Sequence, residues 1–248
     1  MSPGASAIRL EHVSKAFDTL PVLRDVSFFV KPGQAFCILG RSGTGKSVTL
    51  KHIMGLLQPD AGRIFVENEE ITGLKGAALG RVRQRMGFLF QNAALFDSIT
   101  VGENVAFPMR RHTRLSDDEI RGRAARKLAD VGLERDFDKM PADLSGGMRK
   151  RAGLARAMAL DPSILLVDEP SAGLDPITSS EIDDLLLTRK RQGTTLVVVT
   201  HNIPSARTLA DELMLLHEGR IAAQGTVAEL EGSSHDLVRA FMRSESGG

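Results

Sequence analysis

The stretch Gly40-Arg41-Ser42-Gly43-Thr44-Gly45-Lys46-Ser47 decides the fold of this chain. It follows the wholly apolar run 35–39, which predicts a strand buried on both faces, and it precedes residues 46–57, whose apolar positions have helical spacing. This spacing of Gly, Lys and Ser between a strand and a helix predicts a phosphate-binding loop. The glycines let backbone N–H groups approach phosphate, and the helix dipole favours the anion. We expect Lys46 to contact the β- and γ-phosphates of a nucleotide and Ser47 to ligate Mg²⁺.

A pair of acidic residues after another apolar run predicts part of the same chemistry. Asp168 and Glu169 follow residues 164–167, which are typical of a buried strand. A carboxylate at the end of such a strand is costly unless it meets a cation, so we expect Asp168 to serve the outer coordination sphere of Mg²⁺. Glu169 is placed to act as general base on a water beside the γ-phosphate. Alone, an acidic pair is more often the start of a solvated loop; the phosphate loop favours the functional interpretation.

The succession of apolar and polar segments predicts an α/β fold. Residues 164–167 and 196–199 have the composition of buried strands, and residues 178–191 between them have the spacing of a crossover helix. A strand, a helix and a strand in this order indicate a parallel sheet with helices on its faces. Residues 8–30 alternate as strands joined by turns do. The middle of the chain, about 92–160, is predicted to be a mostly helical insert.

Composition limits the classes of function. The 248 residues carry a formal net charge of +1, so no overall electrostatic argument supports binding to nucleic acid. The one cysteine, Cys37, lies in an apolar run, which favours a core residue and suits a reducing cytoplasm. No apolar stretch approaches the ~18 residues that a membrane span needs, and the first residues lack a secretory pattern. We therefore expect a cytoplasmic protein that reaches a membrane only through a partner.

Further segments, in their order along the chain, resemble the ATP-binding subunits of ABC transporters. Gln91 ends an apolar strand and matches the Q-loop of that family, and Leu144-Ser145-Gly146-Gly147-Met148 matches its signature motif. Ser171-Ala172-Gly173-Leu174-Asp175 matches the D-loop, and His201 matches the switch histidine after the last buried strand. Phe17 stands where the family places an aromatic ring against adenine. With the phosphate loop, the resemblance covers nearly the whole chain.

The resemblance implies a P-loop NTPase fold of the ABC ATPase type. Such a fold has a parallel core sheet, an N-terminal antiparallel β subdomain and a helical subdomain that carries the signature motif. It places the ATPase domain at residues 1–231, with a helical insert at about 92–160, and a C-terminal tail with a short helix at 232–248. It also implies that the protein hydrolyses ATP and uses Mg²⁺ as a cofactor.

The resemblance also implies roles for individual residues. The catalytic set would be Glu169, His201 and Lys46. The metal-binding set would be Ser47, Gln91 and Asp168. The nucleotide-binding set would be Phe17, Gly40, Arg41, Ser42, Gly43, Thr44, Gly45, Lys46, Ser47, Gln91, Ser145, Gly146, Gly147 and Asp175. Each type has a plainer interpretation when it stands alone: a lone His or Gln is usually a loop residue, a Ser-Gly-Gly a turn, and Phe17 a core residue. Their joint order favours the nucleotide site.

The signature motif of the family acts on the neighbouring subunit, which implies a homodimer. In the family, Ser145, Gly146 and Gly147 contact the γ-phosphate that a facing subunit holds. These residues begin a predicted helix, so their N–H groups and the helix dipole suit an anion. One chain has one phosphate loop and one signature, so two complete sites need two copies arranged head to tail with isologous contacts. Met148 replaces the more frequent Gln, which we expect to alter contacts without abolishing the site.

The segment after Gln91 matches the surface on which the family docks its integral membrane permease, here residues 92–101. Residues 93–96 read Ala-Ala-Leu-Phe and form an apolar patch that suits a short coupling helix. Inward packing of Leu95 and Phe96 is equally compatible with the sequence.

Local sequence narrows the resemblance to the ATPases of MCE-type lipid transporters. The similar segments are 91–98, 101–108, 144–151, 155–157 and 175–178. That family moves phospholipids or related lipids between bacterial membranes together with a permease and an MCE-domain protein. It would place this chain peripherally, on the cytoplasmic face of the bacterial inner membrane.

Two other classes of function stay open at this stage. One is the ATPase of an importer or exporter for another small solute, such as an amino acid. The other is a soluble ABC ATPase scaffold without a permease, as in iron–sulfur cluster biogenesis, which the apolar patch at 93–96 disfavours. A DNA-linked ATPase would need a long coiled coil or a second copy of the domain, and no heptad pattern persists in the sequence.

Overall fold

A six-stranded sheet forms the centre of the protein, whose computed structural model describes residues 6–243. Its strands lie side by side in the order β10 (Arg220–Gly225), β9 (Glu212–His217), β3 (Ala35–Leu39), β8 (Thr195–Thr200), β7 (Ile164–Asp168) and β6 (Met86–Leu89). The strands from β9 to β6 are parallel, and β10 pairs with β9 in the antiparallel sense. Every residue of β3, β7 and β8 is buried, as expected for parallel strands covered on both faces. The predicted parallel core sheet is confirmed.

The N-terminal part forms a second, antiparallel sheet, as its alternating pattern predicted. Its strands lie in the order β2 (Leu20–Val30), β1 (Ile8–Phe17), β4 (Ala61–Val66) and β5 (Glu69–Glu70). This sheet shares an apolar cluster with alternate residues of β3: Phe36 and Ile38 face it, and the rings of Phe28 and Phe36 stack with centroids 5.1 Å apart. Cys37 and Leu39 belong to the cluster on the opposite face, beneath helices. The period of two along β3 therefore joins both layers.

Helices complete the described part of the chain. They are α1 (Lys46–Ile53), α2 (Gly76–Arg83), α3 (Val101–His112), α4 (Asp117–Ala129), α5 (Gly146–Ala157), α6 (Pro176–Arg191), α7 (Ile203–Leu209), α8 (Val227–Glu231) and α9 (Asp236–Arg243), with a 3₁₀ turn at Pro141–Asp143. Helices α3, α4 and α5 pack on one another. They follow β6 and precede β7 along the chain. Thr100 and Ser116 begin α3 and α4 with capping boxes. This lobe is the predicted helical subdomain.

The start of α6 differs from the prediction because a side chain caps it. The apolar spacing predicted a helix from residue 178, whereas α6 begins at Pro176. The Asp175 carboxylate accepts hydrogen bonds from the N–H groups of Ile177 and Thr178, each at 3.0 Å. Proline suits this first turn because its missing N–H would have no partner in the helix. The cap therefore fixes both the start of the helix and the position of the D-loop before it.

The predicted C-terminal tail, 232–248, lies only partly within the described residues. It contains α9, and residues 244–248 lie outside the part of the chain that the structure describes. Val238 and Met242 of α9 are buried in the cluster beneath the helices. The helical pattern in the tail thus predicted a real helix that packs on the core.

Two findings bear on the expectations from composition. Cys37 is buried, and burial raises the pKa of its thiol far above the ordinary value, which agrees with a core residue. Within residues 6–243, every helix is too short or too polar to cross a bilayer.

Gly87 in β6 tests the contact between the helical lobe and the sheet. A Cβ at this position would lie 2.3 Å from the Ala157 carbonyl oxygen at the end of α5. We expect Gly87→Ala to lower the free energy of unfolding by about 1–3 kcal/mol because the core must shift. Gly80→Ala in α2 is the matched control: its Cβ would meet open space, and it should gain roughly 0.5–1 kcal/mol. Urea denaturation of both variants measures the difference; equal stability would contradict the close contact.

Candidate nucleotide site

The predicted phosphate loop, residues 40–47, joins β3 to α1. Gly40 and Gly45 have φ of +158° and +102°. An added Cβ would lie 2.5 Å from the Leu216 carbonyl oxygen at Gly40, and 2.9 Å from the Val22 carbonyl oxygen at Gly45. Both positions therefore require glycine. Because Gly45 is also the residue before α1, no side chain caps this helix, and the N–H groups of its first turn can serve an anion.

Lys46 places its ammonium inside the loop. The side chain is buried, and its Nζ donates to the carbonyl oxygens of Gly40 at 2.9 Å and Arg41 at 3.1 Å. The Glu169 carboxylate oxygen Oε1 lies 3.4 Å from the same Nζ. A buried ammonium held by the loop that surrounds it is well placed to compensate phosphate charge.

Ser47 and Asp168, which were each predicted to serve Mg²⁺, lie in contact beside the loop. The Ser47 hydroxyl donates to Asp168 Oδ1 at 2.8 Å, and the carboxylate is buried at the end of β7. Burial raises the pKa of Asp168, and the neighbouring Glu169 carboxylate adds to that rise, while the Ser47 bond opposes it. A bound divalent cation would favour the charged carboxylate. A hydroxyl and a carboxylate are oxygen donors of the kind that Mg²⁺ prefers, so this pair fits the ion.

The donor set also indicates how Mg²⁺ would be completed. Among residues 6–243, no group of three or more His, Cys, Asp or Glu side chains could hold a metal ion. Mg²⁺ usually takes one or two carboxylates together with oxygens of substrate phosphates and water. The residues present therefore fit an ion that binds with its nucleotide.

Glu169 lies between the phosphate loop and His201. Its side chain is buried, and its Oε2 lies 2.8 Å from His201 Nδ1 and accepts the His201 backbone N–H at 3.3 Å. The residue has φ +48°, the left-handed region that non-glycine residues seldom adopt. This backbone aims the carboxylate at Lys46 and His201, away from solvent. The carboxylate therefore lies within 3.4 Å of the Lys46 ammonium and 2.8 Å of the His201 imidazole, beside the phosphate loop.

A cleft of ≈ 680 Å³ collects most of the predicted nucleotide residues. Its lining residues are Phe17, Val22, Gly40, Arg41, Ser42, Gly43, Gly45, Lys46, Ser47, Val48, Gln91, Glu169, His201 and Phe241. Phe17 is 42% exposed at the cleft, and the Lys15 ammonium lies 5.6 Å from its ring centroid, so Phe17 is not a plain core residue. The sequence did not single out Val22 or Phe241. In the sequence, Val22 is marked only by its position near Phe17. Phe241 is marked only by the helical spacing of apolar residues in the tail.

Other predicted residues lie away from this cleft in the same chain. Ser145 and Gly146 are exposed at the start of α5, where the Ser145 hydroxyl accepts the Met148 N–H at 3.2 Å. Gly147 is buried against Thr178 of α6. Asp175 caps α6, and its bonds from Thr178 lower the pKa of its carboxyl. The single chain therefore does not bring the signature motif or Asp175 to its own phosphate loop.

Two cations of α5, the buried Lys150 and the half-buried Arg156, were missed by sequence reasoning. Lys150 donates from Nζ to the Glu169 carbonyl oxygen at 2.8 Å. Arg156 donates from both guanidinium Nη atoms to the carbonyl oxygens of Ala93 and Ala94, each at 2.7 Å. A weak signal existed: Lys150 falls at helical spacing between buried Gly147 and Leu154.

Comparison with known proteins identifies the family. The model of the ABC transporter family matches residues 23–172. The chain belongs to the ABC transporter family, and it is an ATPase that uses ATP with Mg²⁺. In structure it is similar to the dimeric ATP-binding cassette MJ0796 in a post-hydrolysis state with ADP and Pi, with a TM-score of 0.84 and 33% identity over 88% of this chain and 98% of that one.

Several curated relatives differ in what they transport. The probable ribonucleotide transport ATP-binding protein of Mycobacterium bovis is 41% identical over 97% of this chain and 67% of its own length. The MlaF ATP-binding protein of the intermembrane phospholipid transport system of Haemophilus influenzae is 41% identical over 88% of this chain and 83% of its own. The methionine import protein MetN of Caulobacter vibrioides is 38% identical over 97% and 73%. Identity alone therefore does not assign the cargo.

The substitution Glu169→Gln tests whether Glu169 acts as the general base in ATP hydrolysis. We expect ATP binding to persist and turnover to fall by roughly 10²–10⁴-fold, because an amide cannot accept the proton of the attacking water. Steady-state hydrolysis and equilibrium ATP binding measure the two effects. Lys46→Ala is the contrasting variant, since loss of its ammonium should weaken binding itself. Near-normal turnover by Glu169→Gln would remove Glu169 from the role of base.

Proposed function

We propose that this chain is the ATP-hydrolysing motor subunit of a transporter that moves phospholipid or a related lipid between bacterial membranes. The observation that supports the lipid cargo is 41% identity to MlaF over 88% of this chain. In this proposal the subunit works as a homodimer on the cytoplasmic face of the inner membrane, peripherally, through an integral permease. An MCE-domain protein is the further partner that the resemblance suggests.

The contacts above and the resemblance to the family support the proposed role of each residue in the site. Lys46 and the glycine loop would hold the phosphates, and the Phe17 ring would stack on the adenine ring of ATP. Ser47, Asp168 and Gln91 would hold Mg²⁺, which supplies charge compensation at the phosphates when bound. Glu169 would take the proton of the attacking water. The remaining catalytic residue, His201, would orient the Glu169 carboxylate through their 2.8 Å contact.

The homodimer is proposed from the placement of the signature motif. Ser145 and Gly146 are exposed at the N-terminus of a 12-residue helix, away from the cleft of their own chain. An uncovered helix N-terminus suits an anion, and the partner's nucleotide would supply it. The dimeric arrangement of the similar cassette MJ0796 supports the same proposal.

Ser145→Arg tests the dimer. We expect the monomer to bind ATP normally but not to dimerise with ATP, because a bulky cation at this helix start blocks the facing nucleotide and loses the cap. Light scattering in a Glu169→Gln background, where a dimer should accumulate, measures the change. Ser116→Arg is the matched control, an exposed capping residue of α4 in the same lobe. An intact ATP-dependent dimer of Ser145→Arg would contradict the proposal.

An apolar groove supports a permease as partner. The exposed rings of Phe96 (45%) and Phe107 (47%) lie 4.9 Å apart between centroids. They line a groove of ≈ 390 Å³ together with Phe90, Ala94 and other residues. In the predicted patch, Phe96 faces outward, whereas Ala93 is buried and Leu95 packs against the core. The groove suits the insertion of a short apolar helix.

The groove is held by polar side chains of α3 and α5 rather than by its own loop. Ala93 and Ala94 have φ of +58° and +49°, and Arg156 of α5 binds both of their carbonyl oxygens. Asn104 of α3 is fully buried; its side chain accepts the Phe96 N–H at 2.7 Å and donates to the Phe96 carbonyl at 3.0 Å. Such a fixed apolar surface argues for a docked partner and against the soluble scaffold.

A transporter of another solute is the second candidate function. The names of two relatives favour it, one assigned to ribonucleotide transport and one to methionine import. The nucleotide site does not distinguish between the candidate cargoes, because its proposed roles concern only the nucleotide.

Affinity purification from native membranes in mild detergent, with mass spectrometry of proteins and lipids, tests partner and cargo together. We expect a multi-span permease, an MCE-domain protein and bound phospholipid. Phe96→Asp should lose the permease because a charge enters the groove. Phe29→Asp is the matched control, since Phe29 is 46% exposed on β2 and should keep the permease. A permease without lipid or MCE protein would reject the lipid cargo, and soluble partners alone would favour the scaffold.

A further inference from the structure

A buried lysine of the signature helix contacts the backbone of the proposed base. Lys150 lies in the second turn of α5 and is 5% exposed. Its Nζ donates to the Glu169 carbonyl oxygen at 2.8 Å. Burial lowers the pKa of Lys150, while the nearby Glu169 and Asp168 carboxylates oppose that change. A charge buried at such a cost is held in a defined position, unlike the mobile lysines of a surface.

Lys150 holds one side of a strained peptide. Glu169 has φ +48°, and its own N–H donates to the Val199 carbonyl of β8 at 2.8 Å. On the other side, its carbonyl accepts Lys150 and, more weakly, the Ala172 N–H at 3.3 Å. Because the backbone dihedrals of a residue direct its side chain, these anchors also decide where the carboxylate points. Of these bonds to the Glu169 backbone, the bond from Lys150 comes from α5, and the other two come from the sheet and the following loop.

The position of α5 is therefore transmitted to Glu169. The signature residue Ser145 caps the start of the helix, about 7.5 Å along the axis from Lys150 at 1.5 Å per residue. A displacement of the signature would carry Lys150 with it, since both lie within the first turns of one helix. The Glu169 carbonyl, bound to that ammonium, would be displaced or released in turn.

We propose that Lys150 is a positioning residue that makes the base of one site respond to the nucleotide of the other. The inference rests on the proposed function, in which the signature of each subunit contacts the nucleotide held by its partner. Nucleotide bound by the partner would fix the position of α5. Lys150 would then hold Glu169 in the position required for hydrolysis. Hydrolysis in the dimer is consequently cooperative, and the link runs through one hydrogen bond.

Substitution of Lys150 tests the link by kinetics. Lys150→Met keeps an unbranched stem that ends one atom short of the ammonium nitrogen, and it removes the donor. We expect kcat to fall about tenfold, the loss of a hydrogen bond from a charged group, with ATP affinity unchanged. The Hill coefficient of hydrolysis should fall towards one, and Lys150→Arg should restore most of both. Exposed Lys75, at the start of α2, supplies the control Lys75→Met, which should match the parent protein. Unchanged kcat and Hill coefficient in Lys150→Met would overturn the proposal.

Hydrogen exchange separates this link from the dimer itself. In a Glu169→Gln background, ATP should cause dimerisation whether or not Lys150→Met is present. Light scattering measures the dimer. Amides of residues 168–172 should become protected on adding ATP only when Lys150 is present. Equal protection in both dimers would overturn the link; absence of any ATP-dependent dimer would instead overturn the proposed function. If Lys150→Met fails to fold, Lys150→Gln, which shortens the reach, should show the same loss of protection, and full protection would count against the link.

Discussion

Two buried carboxylates at the carboxyl end of β7 require donors or cations beside them, and the surrounding structure supplies these partners. Asp168 and Glu169 are both buried, and burial of such groups is tolerated only where donors or cations face them. The Ser47 hydroxyl faces the first, while Lys46 and His201 face the second. These partners come from the phosphate loop and from the end of β8, so the pair is satisfied only when neighbouring parallel strands stand in register. Sheet order and site are in this sense one requirement.

The signature helix joins three regions that the sequence presents as unrelated motifs. Its first residue after Ser145 faces outward, its second turn holds Glu169 through Lys150, and its last turn holds Ala93 and Ala94 through Arg156. Burial lowers the pKa of both cations, although Arg156 stays charged at any ordinary pH. One helix therefore connects the exposed signature residues, the Glu169 backbone and the apolar groove without any intervening loop.

The fold and the centre of the site could be predicted because their signals are local. The glycine loop, Asp168 and Glu169 each stand next to an apolar run, and a succession of strand, helix and strand indicates a parallel sheet. Contacts between distant segments could not be predicted in this way. Nothing in the sequence marks Ala93 and Ala94 as left-handed, since alanine rarely adopts that conformation, and so the outward turn of Phe96 was left undecided. Lys150 was missed because a lysine on a helix normally faces water.

The shielded thiol in β3 makes this chain a convenient host for optical and spin probes. A thiol must reach solvent as thiolate to react with alkylating reagents, and Cys37 is fully buried with its acidity suppressed. The chain also contains no Trp and no Tyr. A cysteine or tryptophan introduced on α5 or beside the groove would thus give the sole signal of its kind. Distances across the two halves of an assembly could be followed during turnover without first stripping the core of its native side chain.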